Sequence, residues 1–182
     1  VQDQIKDGGS SATWWEVKNE STFQSEWAYH WREKEGIDGW GLLSDFHNRV
    51  ADAVHEVSPS THIGGPAAAY MQLHQKDFGL FRDHARFIKE TRGKLDFFSY
   101  HFYENAGTLG AHERRGQGYA NYLLGRYEAT LDALRAEMHN VENVLPILIT
   151  ECGSLQNGRQ AADNWLRVLA WNAFLTKTMQ RP

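Results

Sequence analysis

Four times along this chain a short apolar run is followed by an amphipathic stretch, and this alternation restricts the fold more than any other feature. The runs are TWWEVKNE (13–20), THIGGPAAA (61–69), LDFFSYHFY (95–103) and VLPILITECG (144–153). They read as strands, the third especially, because aromatics favour a pleated, half-buried surface. The stretch 40–57 carries Leu43, Phe46, Val50, Val54 and Val57 at helical spacing, and Pro59 stops it. In 77–93, Leu80, Phe81, His84, Phe87 and Ile88 share a face before Gly93. The stretch 119–140 presents Leu123, Tyr127, Leu131, Leu134 and Met138, and a last helix over about 160–179 offers Trp165, Leu169 and Phe174.

Strands separated by helices pair in parallel through crossovers. The fold class is therefore α/β, and two architectures fit: a doubly wound sheet or part of a (β/α)8 barrel. No GxGxxG and no GxxxxGK[ST] occurs, and Gly64-Gly65 runs into Pro66 rather than a helix start. The dinucleotide and P-loop readings lose their main support.

The 182 residues suffice for one domain with a core, and 41% hydrophobic with 23% charged residues is ordinary globular composition. A net charge of −4 argues against nucleic-acid or anionic-membrane partners held by bulk attraction. No apolar run approaches the roughly 20 residues that span a bilayer. The segment VQDQIKDGGSS lacks the layout of a signal peptide. Cys152 is the only cysteine, so no intrachain disulfide and no thiolate cluster forms.

In parallel α/β folds, ligands bind at the carboxyl ends of the strands. Here those ends are polar: Asn19-Glu20 on the first run, His101, Tyr103 and Glu104 on the third, and Glu151 on the fourth. Alternation puts Phe97, Ser99, His101 and Tyr103 on one face, and Ile147, Ile149 and Glu151 on another common face. It also aligns Glu16, Lys18 and Glu20, three ionisable groups that need partners if they point inward; a Glu16–Lys18–Glu20 ladder is the expectation. Glu20 and Glu151 suggest a carboxylate pair. Glycosidic bond hydrolysis uses such a pair, with the carboxyls about 5–5.5 Å apart in retaining enzymes. One carboxyl stays protonated and the other stays ionised, helped by donors such as His101 and Tyr103.

Trp27, Tyr29 and Trp31 follow the first strand end and offer flat faces for sugar CH surfaces. The Gly-rich loop 104–118 carries His112, Arg114 and Arg115, whose guanidinium groups suit oxyanions such as sulfate. His55, His62, His74 and His84 show no HxH or HExxH spacing, and His30 and His112 sit in loops, so neither a metal nor another cofactor is expected. Cys152 reads as a small apolar packer facing the helical layer.

At these residues the sequence resembles a known group. WEVKNE is similar to the fourth strand of clan A glycoside hydrolases, DFFSYHFY to the sixth, and PILITECG to the seventh. GGPAAAY, FIKETRGKLDFFSYHFYE and LTKTMQRP are most similar to the β-agarase and β-porphyranase family, glycoside hydrolase family 86. The resemblance implies that residues 1–182 form a partial (β/α)8 TIM barrel, strands four to seven with their helices. It implies a retaining, two-glutamate cleavage of β-glycosidic bonds in an algal galactan, agarose or porphyran. Glu20 is then the acid/base and Glu151 the nucleophile. Asn19 holds the sugar 2-hydroxyl, Tyr103 holds the nucleophile, and His101 lines the same subsite. Trp27, Trp31, Arg114 and Arg115 are further substrate contacts. Ser21 stands where many relatives have Pro, and Lys18 where a larger apolar residue is common. The remaining strands are expected from the same polypeptide, with the polysaccharide as partner and a secreted, periplasmic or cell-surface location. The competing readings are a non-catalytic carbohydrate-binding fragment, a metal-dependent barrel hydrolase, and another clan A activity such as xylosidase or mannanase.

Overall fold

The computed structural model describes residues 13–20, 36, 38–69, 84–104, 117–154 and 164–180. Strands and helices alternate: β1 (Trp14–Glu16), α1 (Gly39–Val57), β2 (His62–Ala68), α2 (His84–Glu90), β3 (Phe97–Glu104), α3 (Gln117–Asn140), β4 (Ile147–Ser154) and α4 (Asn164–Met179). The sheet order is β1-β2-β3-β4, with parallel pairing, so each strand lies beside its neighbour in sequence. Consecutive order without a switch of direction is what a barrel segment has and a doubly wound sheet lacks.

The chain divides into two compact units, residues 1–101 with 134–150, and residues 102–133 with 151–182. In the first unit, Trp14, Trp15 and Glu16 register against His62, Ile63 and Gly64. Gly64 then opposes Phe97 and Gly65 opposes Phe98, with a register shift before Ala68 meets Tyr100. Glycine at 64 is a packing requirement, since a Cβ there would lie 2.1 Å from the Phe97 ring. On that sheet face Trp14 packs against His62 and Phe97, with ring centroids 4.5 and 5.2 Å away.

The other face carries the helices. Ile63 is fully buried against Ala51 and Val54 of α1, flanked by Trp15, Val17 and Val50. Asp38 caps α1 by accepting from the Gly41 amide at 3.1 Å. The same carboxylate binds Arg86 of α2, whose Nε also reaches Glu90 at 2.6 Å. The Arg86 guanidinium holds the Asp38 carboxyl below its usual range, and the two carboxylates raise the Arg86 pKa further. The buried face of α1 is Trp40, Leu43, Ser44, His47, Ala51 and Val54. The expected stripe is therefore rotated: Phe46, Val50 and Val57 are half-buried and line an open groove with Arg49, Ala53 and Glu56. Asp38 caps the first turn and bridges to Arg86 of α2, and the buried ridge packs Trp40 and His47 on Phe87 of α2.

From α2, His84, Phe87 and Ile88 are buried as expected. Leu80 and Phe81 lie outside the described residues. Gly93, at φ +79°, ends the segment in a conformation that side chains other than glycine rarely take. His47 Nε2 donates to the Lys94 carbonyl at 3.0 Å, and its ring packs edge-on to Phe87. His84 packs edge-on to Trp40 and Phe98. Burial lowers the pKa of each histidine to about 4, so both are neutral in the fold; for His47 the Lys94 carbonyl and Asp96 oppose that shift. Leu134 and Met138 of α3 are fully buried.

In the second unit, Phe102 stacks on Phe174 with centroids 5.0 Å apart, and Tyr127 meets both rings edge-on. Lys177 of α4 bridges to Glu128 of α3 at 2.6 Å. The side chains of Leu123, Trp165 and Leu169 lie outside the described residues. Cys152 is exposed, not packed as its alternation suggested. Desolvation raises its pKa, which disfavours the thiolate needed of a nucleophile. Among the described residues, no helix is long and apolar enough to cross a membrane.

Candidate active site

β1 is shorter than the apolar run suggests. It stops at Glu16, although Val17 N still donates to Gly64 O at 3.2 Å. Residues 17–20 then bend, and Glu20 sits at φ +45°. A left-handed conformation at a residue other than glycine costs on the order of 1–3 kcal/mol and tends to persist where a specific contact holds it. Here that contact is His101. Its Nδ1 lies 2.9 Å from Glu20 Oε1, linking the end of the first strand segment to β3.

His101 has no exposed side-chain surface, whereas Glu20 retains 27%. One partner is fixed by the interior and the other remains open to a ligand. The pair shares a proton in either state of the carboxyl. With Glu20 ionised, Nδ1–H donates to it; with Glu20 protonated, its O–H donates to the Nδ1 lone pair. A carboxyl held this way can give and take back a proton without losing its orientation, which is the task of an acid/base group.

Phe97, Ser99 and His101 are all buried, in keeping with one face of β3. Ser99 Oγ accepts from the Ala67 amide at 3.1 Å, at the place where β2 and β3 shift register. The two acids of the expected Glu16–Lys18–Glu20 ladder each meet a partner on another strand. Glu16 Oε1 accepts from the Thr150 hydroxyl at 2.8 Å, and Glu20 turns to His101. The reason is the bend after Glu16, which breaks strand alternation. On β4, Thr150, one residue before Glu151, is the residue that meets Glu16.

Asn19 is exposed beside Glu20. Glu151 lies on β4, directly after Thr150. Tyr103 lies on β3, with its side chain outside the described residues. Trp27, Trp31, Arg114 and Arg115 also fall outside them. Sequence reasoning singled out Glu20 and His101 at their strand ends, and the two side chains meet. It missed the Glu16–Thr150 contact, for which the pairing of a polar residue with an acid on distant strands gave no local signal.

These features define a class: a parallel α/β segment of consecutive strand–helix units with polar chemistry at the carboxyl ends of its strands. No family model matches the chain. It is 28% identical over 182 residues to the funoran endo-β-hydrolase of Wenyingzhuangia aestuarii, covering 93% of this chain and 23% of that protein. It is 27% identical over 171 residues to the β-agarase of Pseudoalteromonas atlantica, covering 93% of this chain and 32% of that protein. The chain thus spans between about a quarter and a third of the length of these curated relatives. Among solved structures, it is similar in fold to BuGH86 in complex with neoagarooctaose, with a TM-score of 0.67 at 23% identity. That match covers 95% of this chain and 27% of the other. A family 51 α-L-arabinofuranosidase from Bifidobacterium longum is similar at a TM-score of 0.55 and 15% identity, over 97% of this chain and 33% of the other. The resemblance drawn from the strand motifs is borne out by these relatives, over part of their length.

Proposed function

We propose that this chain is the segment from strand four to strand seven of a (β/α)8 barrel, in a polypeptide that hydrolyses β-glycosidic bonds of a red-algal galactan. The chemistry is a double displacement with retention. Glu151 attacks the anomeric carbon while Glu20 protonates the departing oxygen. Glu20 then takes a proton from water as the glycosyl-enzyme is hydrolysed. Asn19 binds the sugar 2-hydroxyl, Tyr103 steadies Glu151, and His101 steadies Glu20. Trp27 and Trp31 stack on sugar rings, and Arg114 and Arg115 receive sulfate or hydroxyl groups. The remaining barrel strands come from the same polypeptide, which works outside the cytoplasm where such polymers are found. No metal or other cofactor takes part.

The observation that carries this reading is the Glu20–His101 contact, because it joins the two strand ends to which the resemblance assigns the acid/base and a sugar-subsite residue. The names of the two curated relatives support the substrate class. The test is to follow the first product anomer by proton NMR while the polypeptide carrying this chain acts on agarose, porphyran, funoran, xylan and mannan. Retention on one of the galactans is expected. Glu151→Gln should abolish turnover, and Glu20→Gln should stall it except on substrates with very good leaving groups. Full activity of either variant on the native polymer overturns the assignment. Loss of activity on chelation would favour a metal-dependent hydrolase instead.

A further inference from the structure

We propose that Glu16 is a positioning residue for Glu151 and acts through the hydroxyl of Thr150. This rests on the reading of Glu151 as the nucleophile, but Glu16 and Thr150 have no part in that reading. The observation is the 2.8 Å hydrogen bond from Thr150 Oγ1 to Glu16 Oε1, between residues 134 positions apart.

Two features give this contact leverage on residue 151. First, Glu16 is well anchored. It is the last residue of β1 and registers against Gly64, and the next amide, Val17 N, donates to Gly64 O. Second, Thr150 is β-branched, so its χ1 has few choices. Holding Oγ1 holds Cβ, and holding Cβ limits the backbone from which Glu151 departs. The tie is made one residue before the group whose placement matters.

Glu16 is not needed as a proton carrier. Its distinctive property is that its oxygen is already committed to a side chain on β4. A nucleophile displaced by about 1 Å can lose on the order of a hundredfold in rate without a comparable change in substrate binding. The signature of a positioning residue is therefore a fall in kcat at nearly constant KM.

The experiment uses the longest native polypeptide that carries this chain, assayed on the galactan it cleaves best. Thr150→Val and Glu16→Ala each remove one half of the contact. Each should lower kcat about tenfold or more with KM within about twofold. Thr150→Ser keeps the donor and Glu16→Gln keeps an acceptor oxygen, so both should recover most of the rate. The Thr150→Val, Glu16→Ala double variant should be no slower than the worse single variant, since both remove the same interaction. Melting curves accompany each variant. If Thr150→Val fails to fold, the Glu16→Ala and Glu16→Gln pair decides. Native kcat in Thr150→Val or Glu16→Ala overturns the inference, as does a Ser or Gln variant that falls as far as its partner. Glu151→Gln separates the two levels. If it stays active, the nucleophile assignment fails; if it is inactive while Glu16→Ala is native-like, only the positioning role fails.

Discussion

His101 meets Glu20 at 2.9 Å from a side chain with no solvent exposure, while Glu20 keeps about a quarter of its own surface open. A rigid imidazole therefore orients a reachable carboxyl. His101→Ala should lower kcat on the polymer by about a hundredfold or more, the scale of general acid–base assistance. The loss should be smaller on aryl glycosides with good leaving groups, which need little protonation. Steady-state kinetics on both substrates checks this, and equal losses would assign His101 to packing alone.

The two buried histidines of the first unit make stability fall in acid. His47 and His84 have folded pKa values near 4, below their ordinary value of 6.5, because burial disfavours the charged ring. The unfolded chain binds more protons between those values. Stability is therefore full above about pH 6.5 and falls as pH drops toward 4, by up to about 3 kcal/mol per histidine. Urea midpoints at pH 7.5 and pH 4.5 measure the loss.

His84 offers a way to apportion that loss. Its Nδ1 is buried and has no hydrogen-bond partner among the described residues, and its ring is held by Trp40 and Phe98. His84→Phe keeps the ring contacts and removes the buried polar atom. Stability at pH 7.5 should be unchanged or raised, by about 1 kcal/mol. The acid loss should shrink to about half. An undiminished pH dependence would place the titration elsewhere.

Gly64→Ala drives a methyl group into the Phe97 ring, so that ring or its strand must move. A cost of about 1–3 kcal/mol is expected, as for overpacked cores. Adding Phe97→Leu should return part of it. Thermal melts of the single and double variants test this coupling.

Asp38→Ala removes the cap of α1 and the bridge to Arg86 together. The cap alone is worth about 1 kcal/mol. Asp38→Asn keeps a capping oxygen and drops the charge, so it should lose less. If the two variants melt alike, the ion pair rather than the cap ties α1 to α2.

The alternation of strands and helices was legible because each element announces itself locally, through aromatic runs, helical spacing and stops such as Pro59 and Gly93. Glu20 and His101 stood out at the carboxyl ends of parallel strands, where ligand chemistry collects, and they meet there. What escaped depends on distance in sequence or on one backbone angle. The bridge beside α1 joins Asp38 and Arg86, 48 positions apart. The positive φ of Glu20 overrides the two-residue period from which the ladder was drawn. Thr150 has no local mark of its link to Glu16.

That link also says something about curvature. In a flat sheet, β1 and β4 would stand roughly 14 Å apart, three strand spacings, beyond the combined reach of a glutamate and a threonine. Their contact means that the sheet bends, and that side chains of its own strands hold the bend. A segment bent in this way brings its arc with it, so that strands added beside it would need to match it only in register.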